Sequence, residues 1–505
     1  MTKDAASETK ESDESTQPFP TQHSSTRHTL EIAGETISYQ AEAGWITLRK
    51  IHKPIAQVFH AAYLQEKQDA SQRPLTFVFN GGPGAASAFL HMGALGPQRV
   101  QFGDSGSLPK PPTRIVDNQE SWLSFSDLVF IDPVGTGFSR ALQDSKKDKT
   151  EGKGEQPEDP KENAEFWELE RDLESLGEFI CRFLSKHHRW TSPIFIAGES
   201  YGGFRVAKMA KTLQEDHGVG LSGALLISPA IELDALAGSD YDLTYWVELF
   251  PSLAAAAFRH GRVTNVPDGT TLDSLLQIAE TFSQDELIRL LVHGEALDPA
   301  DRRKVLTRMS ELCGLSVDFL DRSAGRITST VFCRELLREG QRLCGHYDAS
   351  VTTVDPFPDR HDYDGPDPTL FSIDRLFSSG INHQLRATLE VETDLDYRLL
   401  SMQVNEEWKD DSRSHFFNKV VGAMDDLRYG MSLNGHMKVF ICHGYFDLVT
   451  PYFSTGRLVN LMKLTPEQRE NLVLDNYLGG HMFYSWDDSR VAFHAAAKQF
   501  YESSL

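Results

Sequence analysis

The chain has 505 residues, with 50 basic and 73 acidic side chains and a formal net charge of −23 at pH 7. Such a charge repels nucleic acid phosphates and anionic membrane surfaces, so we expect neither as a partner. A chain of this length exceeds the size at which a single hydrophobic core stops growing, which predicts two domains or a core with a large insertion.

The N-terminal segment, residues 1–28, is polar and lacks the apolar run of an export signal, so we predict a disordered tail. No segment approaches the roughly 20 apolar residues of a membrane span. The five cysteines are an odd number, which argues against a disulfide framework but leaves one bridge among Cys313, Cys333 and Cys344 open. Unless an export signal has been removed, these features predict a cytoplasmic protein.

Strand-like segments come first in the chain and then begin to alternate with helices. Residues 37–41, 45–50 and 56–63 predict an antiparallel edge with short turns. Further on, apolar residues recur at helical spacing between residues 166 and 183, and strands are predicted at residues 75–79, 127–131, 194–197 and 224–227. Strands that alternate with helices predict an α/β fold with a mostly parallel sheet covered on both faces.

The pattern becomes helical after the strand at residues 224–227, and we interpret this part as an inserted helical cap. Within it, Leu243, Trp246 and Phe250 share one helix face, which favours core packing over a role in lining a cleft. The predicted organisation is a tail at residues 1–28, a first core part at 29–234, the cap at 235–430 and a second core part at 431–505.

A serine flanked by glycines lies between a strand-like and a helix-like segment, in the sequence Gly-Glu-Ser-Tyr-Gly at residues 198–202. A nucleophile elbow needs this context, because the serine backbone is strained and a β-carbon on either side would collide with its neighbours. The pattern predicts that Ser200 is a nucleophile whose Oγ stands above the sheet. A structural serine in a glycine-rich turn is the alternative.

A serine hydroxyl needs a base and an acid that orients the base, and in this fold type they follow in the order Ser, Asp, His. Asp447 comes just past a predicted strand at residues 437–442, and His481 lies on a glycine-bearing loop after another at 472–474. Taken singly, these are ordinary turn and loop residues. Their order and matching positions predict a catalytic triad.

A glycine-rich loop, residues 80–87, directly follows the strand at 75–79. Its glycines allow the main chain to approach a substrate closely, so we expect one oxyanion-hole N–H from this loop and another from Tyr201. No lysine follows the glycines, which disfavours a phosphate-binding loop, and we expect no cofactor and no metal.

Together, these motifs resemble the serine carboxypeptidase family of α/β-hydrolase peptidases, and its bacterial branch more than the secreted plant and fungal enzymes. The matching segments are residues 80–87, 96–97, 121–122, 132–139, 198–203, 444–447 and 480–481. The resemblance implies the α/β-hydrolase fold with a cap and peptide substrates that have a free C-terminus. The oligomeric state is not predicted.

The resemblance also implies a role for each motif residue. Ser200 would be the nucleophile, His481 the general base and then acid, and Asp447 the residue that orients it. The oxyanion would be bound by Gly82 and Tyr201, and the substrate's terminal carboxylate by Asn80, Gly81 and Glu199.

Three positions depart from the family pattern. Ala94 stands where the family has a second glutamate that assists Glu199. Because two carboxylates in contact repel unless one is protonated, this change bears on both exopeptidase specificity and the usual acid optimum. Ala85 replaces a cysteine common in secreted relatives, and Tyr445 replaces an additional aspartate.

The sequence thus predicts acyl transfer to water through a covalent intermediate on Ser200. An esterase or acyltransferase on the same scaffold is the alternative, because a triad serves all three reactions. A non-catalytic binding protein is disfavoured, since such proteins usually lose a triad member.

Overall fold

The computed structural model describes residues 22–142, 163–360, 365, 367–410 and 421–505. In these residues the strands are β1 (Ser24–Ile32), β2 (Glu35–Lys50), β3 (Lys53–Gln65), β4 (Leu75–Phe79), β5 (Gln98–Val100), β6 (Ile115–Asp117), β7 (Asp127–Ile131), β8 (Arg140–Ala141), β9 (Ile194–Glu199), β10 (Gly223–Ile227), β11 (Arg342–Cys344), β12 (Thr352–Val354), β13 (Lys438–Gly444) and β14 (Leu472–Tyr477). The helices are α1 (Ala88–Leu90), α2 (Leu169–Lys186), α3 (Tyr201–Glu215), α4 (Thr244–Arg259), α5 (Leu272–Phe282), α6 (Ile288–His293), α7 (Pro299–Cys313), α8 (Val317–Arg322), α9 (Ser329–Glu335), α10 (Leu370–His383), α11 (Met402–Glu407), α12 (Met424–Leu433), α13 (Tyr452–Leu461), α14 (Pro466–Glu470) and α15 (Asp487–Ser504).

The central sheet has the strand order β1-β2-β3-β7-β4-β9-β10-β13-β14, with β8 paired to β3. β1, β2, β3 and β7 pair antiparallel, whereas β7, β4, β9, β10, β13 and β14 pair parallel. The predicted antiparallel edge and parallel sheet are therefore both confirmed. Because the parallel strands end at the same edge, the loops that follow β4, β9, β13 and β14 meet there.

Consecutive residues of the parallel strands pack into cores on opposite faces of the sheet. Phe77 and Ile196 face the core beneath α2, α3 and α12, while their neighbours Val78 and Ala197 face the core beneath α10 and α15. Strands buried on both faces read as continuous apolar runs, which is why they were recognised in the sequence. A parallel sheet between two helical layers, with an insertion after β10, is the predicted α/β-hydrolase fold.

The N-terminal strands differ from the prediction in two places. β1 begins at Ser24, so the tail prediction is wrong for residues 24–28, while residues 1–21 lie outside the described residues. β1 is an edge strand with few buried side chains, and its polar sequence reads like a tail. β2 is one continuous strand where two were predicted, because Gly44 pairs with His60 in the ladder and a Cβ there would meet the His23 ring.

The segment predicted as the cap divides between two cores. Helices α4 to α9 share a separate apolar cluster that contains Trp246 and Phe250, which confirms their predicted core packing. By contrast, Phe377 of α10 and Leu427 of α12 pack on the two faces of the central sheet. The segment predicted as a cap, residues 235–430, therefore includes two helices that belong to the layers covering the central sheet. The sequence did not show this, because an apolar helix face does not specify which layer the helix covers.

Two global features bear on the earlier expectations. All five cysteines are free thiols, so no bridge joins Cys313, Cys333 and Cys344. Within the described parts of the chain, no helix is long and apolar enough to cross a bilayer.

Candidate active site

Ser200 occupies a strained turn between β9 and α3. Its φ is 60° and its ψ is −125°, a conformation that residues with a side chain rarely adopt. A Cβ at Gly198 would lie 2.1 Å from the carbonyl oxygen of Gly202, and one at Gly203 would lie 2.5 Å from Cβ of Pro229. Only glycines permit this packing, which is the nucleophile-elbow geometry expected for Ser200.

His481 and Asp447 meet at the carboxyl edge of the sheet, on the loops that follow β14 and β13. His481 Nδ1 lies 2.7 Å from Asp447 Oδ2, and both side chains are buried. Asp447 also accepts hydrogen bonds from the N–H of Val449 at 2.8 Å and from the hydroxyl of Thr450 at 2.7 Å. These donors hold the carboxylate in the orientation that the imidazole needs.

The electrostatics of this pair suit a general base. Burial disfavours the charged imidazolium, but the Asp447 carboxylate, together with Glu199, outweighs burial and raises the pKa of His481 above its ordinary value. Burial also disfavours the Asp447 carboxylate, while His481 and Thr450 hold its pKa below the ordinary range. With the Nδ1 proton directed to Asp447, Nε2 of the neutral ring is the nitrogen that accepts a proton.

The glycine loop after β4 packs directly against the elbow. A Cβ at Gly81 would lie only 2.4 Å from the backbone nitrogen of Tyr201, and Gly82 has a φ of 100° that favours glycine. Tyr201 is the first residue of α3, so the helix itself provides no acceptor for its N–H. Gly82 and Tyr201 line one cleft together with Ser200, as the two predicted oxyanion donors must.

Asn80 and Glu199 form a buried polar pair beside the nucleophile. The Asn80 amide donates to Glu199, and its Oδ1 accepts the N–H of Leu90 at 3.0 Å, which fixes the orientation of the amide. Burial raises the pKa of Glu199 to about 7, against the opposing effects of His481, Tyr484 and Asn80. Glu199 therefore takes up a proton far more easily than an exposed glutamate does.

Two clefts meet at Ser200. One contains Asn80, Gly81, Glu199 and His481, and its remaining wall is apolar, formed by Ala85, Phe89, Tyr347, Leu370, Leu400 and Met482. The other extends past the elbow and is lined by Ala230, Leu233, Leu236, Asn405, Trp408 and Asp410. Tyr347 lines both clefts, and its carbonyl oxygen accepts the N–H of His481 at 2.6 Å. The structure thus brings all eight residues predicted for the site to one place.

A family model described as serine carboxypeptidase matches residues 32–251. Over this segment, which is less than half of its length, the chain is similar to the serine carboxypeptidase family. Residues 32–251 include the glycine loop and the nucleophile elbow and end before Asp447 and His481.

Two curated relatives show the extent of the similarity to known serine carboxypeptidases. Serine carboxypeptidase-like 45 of Arabidopsis thaliana is 29% identical over 202 residues, which is 39% of this chain and 38% of the relative. The pheromone-processing carboxypeptidase KEX1 of Verticillium alfalfae is 30% identical over 157 residues, which is 30% of this chain and 20% of the relative. The similarity thus spans well under half of the length of these two relatives.

Among solved structures, a putative aryl esterase from Burkholderia cenocepacia matches over 95% of this chain and 99% of its own, with a TM-score of 0.35 and 13% identity. Because this TM-score is below 0.5, the likeness supports no inference about function.

A tyrosine that sequence reasoning missed contacts Glu199. The Tyr484 hydroxyl donates to the Glu199 carboxyl, 2.9 Å from Oε1 and 3.1 Å from Oε2. Tyr484 lies in the short turn that follows His481. The sequence held no direct signal for this contact, because the two residues are 285 positions apart.

Proposed function

We propose that this protein is a serine-type carboxypeptidase that removes the C-terminal residue of peptides through an acyl-enzyme intermediate. The observation that carries the proposal is the position of Glu199. Its buried carboxyl, hydrogen-bonded to Asn80, directly precedes the nucleophile Ser200 in the chain and lines the same cleft. A group suited to binding a terminal carboxylate therefore lies one residue away from the nucleophile.

The polar end of this cleft provides donors for a substrate carboxylate. One N–H of the Asn80 side chain is directed to Glu199, which leaves the second N–H of that amide for a ligand. Gly81 lines the same cleft, and its N–H is the second donor in this proposal. A protonated Glu199 adds an O–H donor, whereas an ionised Glu199 would repel the substrate carboxylate. Binding of a free C-terminus thus requires the protonated form of Glu199.

Acylation starts from the neutral imidazole of His481. As Ser200 Oγ attacks the carbonyl carbon of the last peptide bond, His481 Nε2 takes the hydroxyl proton and Asp447 stabilises the imidazolium. The oxyanion receives hydrogen bonds from the N–H groups of Gly82 and Tyr201. His481 then returns the proton to the leaving nitrogen, the C–N bond breaks and the terminal amino acid departs.

Deacylation repeats these steps with water. His481 Nε2 takes a proton from a water molecule as its oxygen attacks the acyl carbon, and the same two N–H groups bind the second oxyanion. Collapse of this intermediate breaks the bond to Ser200 Oγ, which regains the proton from His481. The shortened peptide leaves with a new free C-terminus, and the site can act on it again.

The test is cleavage of an N-terminally blocked peptide, supplied either with a free or with an amidated C-terminus and followed by mass spectrometry. We expect stepwise loss of residues from the free acid alone. Ser200→Ala, which should lower kcat by about 10⁶, controls for contaminating peptidases. Equal cleavage of both peptides, or hydrolysis of simple esters with neither peptide cleaved, would refute the carboxypeptidase proposal.

We also propose that the protein resides in the cytoplasm, and the five free thiols support a reducing environment. The test is cell fractionation together with alkylation of thiols during lysis. A mature form with oxidised cysteines in an exported fraction would refute it.

A further inference from the structure

We propose that Tyr484 is a positioning residue of the terminal carboxylate site, whose hydroxyl fixes Glu199 in place of the second carboxyl that Ala94 removes. This inference rests on the proposed carboxypeptidase function. It assigns to this chain a site in which one titrating carboxyl is held by two neutral donors, the Tyr484 hydroxyl and the Asn80 amide, instead of a pair of carboxyl groups that share a proton.

The geometry brings the Tyr484 hydroxyl between the two oxygens of Glu199. Tyr484 is fully buried, and its distances of 2.9 Å and 3.1 Å indicate one hydroxyl proton shared between both oxygens. The tyrosine ring lies against the segment that carries Ala94, since a Cβ at Gly93 would lie 2.6 Å from Cε2 of Tyr484. The aromatic ring therefore occupies space next to the position where the family has its second glutamate.

The backbone of this turn is also fixed. The N–H of Ser485 donates to the Met482 carbonyl at 2.9 Å, and the Trp486 N–H donates to that of Phe483 at 3.0 Å. Arg490 donates to the carbonyl oxygen of Tyr484 itself at 3.4 Å. Because Tyr484 follows His481 by three residues, the same loop positions both the general base and the donor to Glu199.

A tyrosine differs from a carboxyl partner in its charge. Burial and the neighbouring Glu199 carboxylate raise the pKa of Tyr484 well above its ordinary value, so the hydroxyl stays protonated wherever Glu199 titrates. A second glutamate would add negative charge as the pH rises, whereas Tyr484 adds none. Donation from Tyr484 stabilises the ionised form of Glu199 and so lowers the glutamate pKa, against the larger effect of burial.

The other groups around Glu199 decide how its pKa responds. His481 favours the ionised form of Glu199, Asp447 disfavours it, and the Asn80 amide donates to it. Two further titratable groups interact with Glu199, the phenol of Tyr347 and the thiol of Cys442, and burial raises the pKa of both. Because these two stay neutral near pH 7, replacing Tyr484 removes a neutral donor from Glu199 without changing the charge of the site.

The experiment compares the pH dependence of kcat/KM in wild type and Tyr484→Phe, using a peptide with a free C-terminus and a simple ester. In the variant, Glu199 loses a donor to its ionised form, so its pKa rises and the alkaline decline of peptide cleavage moves up by about 1 pH unit. At a pH where Glu199 is protonated in both proteins, we expect the peptide KM to rise roughly tenfold with kcat little changed, since the carboxyl is no longer held. Ester hydrolysis should stay the same.

Tyr477→Phe is the matched control, because it removes a hydroxyl that is bonded to Asp475 at 3.4 Å within β14 and does not contact Glu199. It should leave both pH profiles unchanged. If Tyr484→Phe fails to fold, Tyr484→Gln and Tyr484→Leu replace it, since these side chains are similar in size and only glutamine keeps a neutral donor. We then expect a wild-type alkaline limb for glutamine and a shifted limb for leucine.

The outcomes separate this inference from the proposed function. If wild type cleaves only free C-termini but Tyr484→Phe leaves the peptide KM and the alkaline limb unchanged, the Tyr484 role is refuted and the carboxypeptidase stands. If wild type does not distinguish free from amidated peptides, both proposals are refuted together. An equal loss of ester and peptide hydrolysis in folded Tyr484→Phe would assign Tyr484 to support of the triad and also refute the inference.

Discussion

The guanidinium of Arg205, on the helix that follows the nucleophile, donates a hydrogen bond to the backbone carbonyl of Asn80 at 2.8 Å. Its Nε donates to the buried carboxylate of Asp172 in α2 at 2.6 Å. One buried side chain therefore connects the elbow helix, a neighbouring helix and the glycine loop. These hydrogen bonds join the start of the glycine loop to the helix that begins at the elbow.

Replacing Arg205 by methionine should destabilise the protein by about 3–5 kcal/mol, because Asp172 then lies buried without its partner. Burial already raises the pKa of Asp172, and loss of Arg205 raises it further. A native pKa above the unfolded value means that the folded state binds more protons, so the stability deficit should shrink as the pH is lowered.

Chemical denaturation at several pH values measures this deficit. Lys208→Met is the control, because Lys208 lies on the same helix as Arg205 and forms an ion pair at 2.7 Å with Asp426 of α12. Lys208 is partly exposed, so its loss should cost at most about 1 kcal/mol. Equal stability losses in the two variants would contradict the importance assigned to Arg205.

Adding a methyl group at Gly81 should impair the oxyanion hole. The new Cβ would lie 2.4 Å from the Tyr201 nitrogen, so the loop and the elbow must separate. We expect Gly81→Ala to lower kcat by about 10² to 10³ for esters and peptides alike, as loss of one oxyanion donor does. Gly220→Ala, where a Cβ meets nothing within 4 Å, should have wild-type kinetics. A wild-type kcat in Gly81→Ala would show that the loop does not supply a donor.

Asp447→Asn should lower kcat by about 10⁴, because an amide no longer stabilises the imidazolium and favours the wrong tautomer of His481. Steady-state ester hydrolysis measures this effect independently of carboxylate binding. The matched control is Asp475→Asn on β14, a carboxylate that contacts Tyr477 rather than His481. Similar rates in wild type and Asp447→Asn would remove Asp447 from the triad.

The pH dependence should differ between substrates. His481 must be neutral to act as a base, so all hydrolysis should fall as the pH drops below its raised pKa. Glu199 must be protonated to bind a terminal carboxylate, and with its pKa near 7, peptide cleavage should decline above about pH 7. An ester without a free carboxylate should show no such decline.

Glu199→Gln cannot ionise, and we expect it to abolish the alkaline decline of peptide cleavage. The measurement is kcat/KM from about pH 4 to 9 for both substrates. An alkaline decline that persists in Glu199→Gln would assign that ionisation to another group.

The apolar wall of the cleft beside Glu199 predicts a preference for apolar C-terminal residues. Phe89, Leu370 and Leu400 line this cleft, and its only described lining residues with ionisable acidic or basic side chains are Glu199 and His481. We therefore expect kcat/KM for a peptide that ends in leucine to exceed that for a peptide that ends in lysine roughly 10- to 100-fold.

Leu400→Glu should shift this preference toward C-terminal lysine, since the new carboxylate pairs with the substrate ammonium. Leu433→Glu, at an exposed position of α12, is the control and should keep the wild-type preference. Competition between the two peptides, read by mass spectrometry, measures the ratio. An unchanged ratio in Leu400→Glu would place the C-terminal side chain elsewhere.

Local sequence was sufficient for much of the candidate site. The glycines around Ser200 are required by contacts within the elbow, and Asp447 and His481 follow strands whose apolar runs are easily recognised. A parallel sheet brings such strand ends to one edge whatever the details of packing. The order of the motifs along the chain therefore predicts Ser200 as the nucleophile, His481 as the base and Asp447 as its orienting acid.

Contacts between distant segments decided the rest. Gly44 continues a strand because it packs against His23 and pairs with His60, and α10 covers the sheet because Phe377 meets its core. Tyr484 and Glu199 are 285 residues apart, and no spacing rule links a tyrosine in a turn to a carboxyl before a nucleophile. The sequence by itself determined which residues meet at the candidate site, since their constraints are local. Only the tertiary structure decided that the Tyr484 hydroxyl contacts Glu199, because this contact depends on how two distant segments pack together.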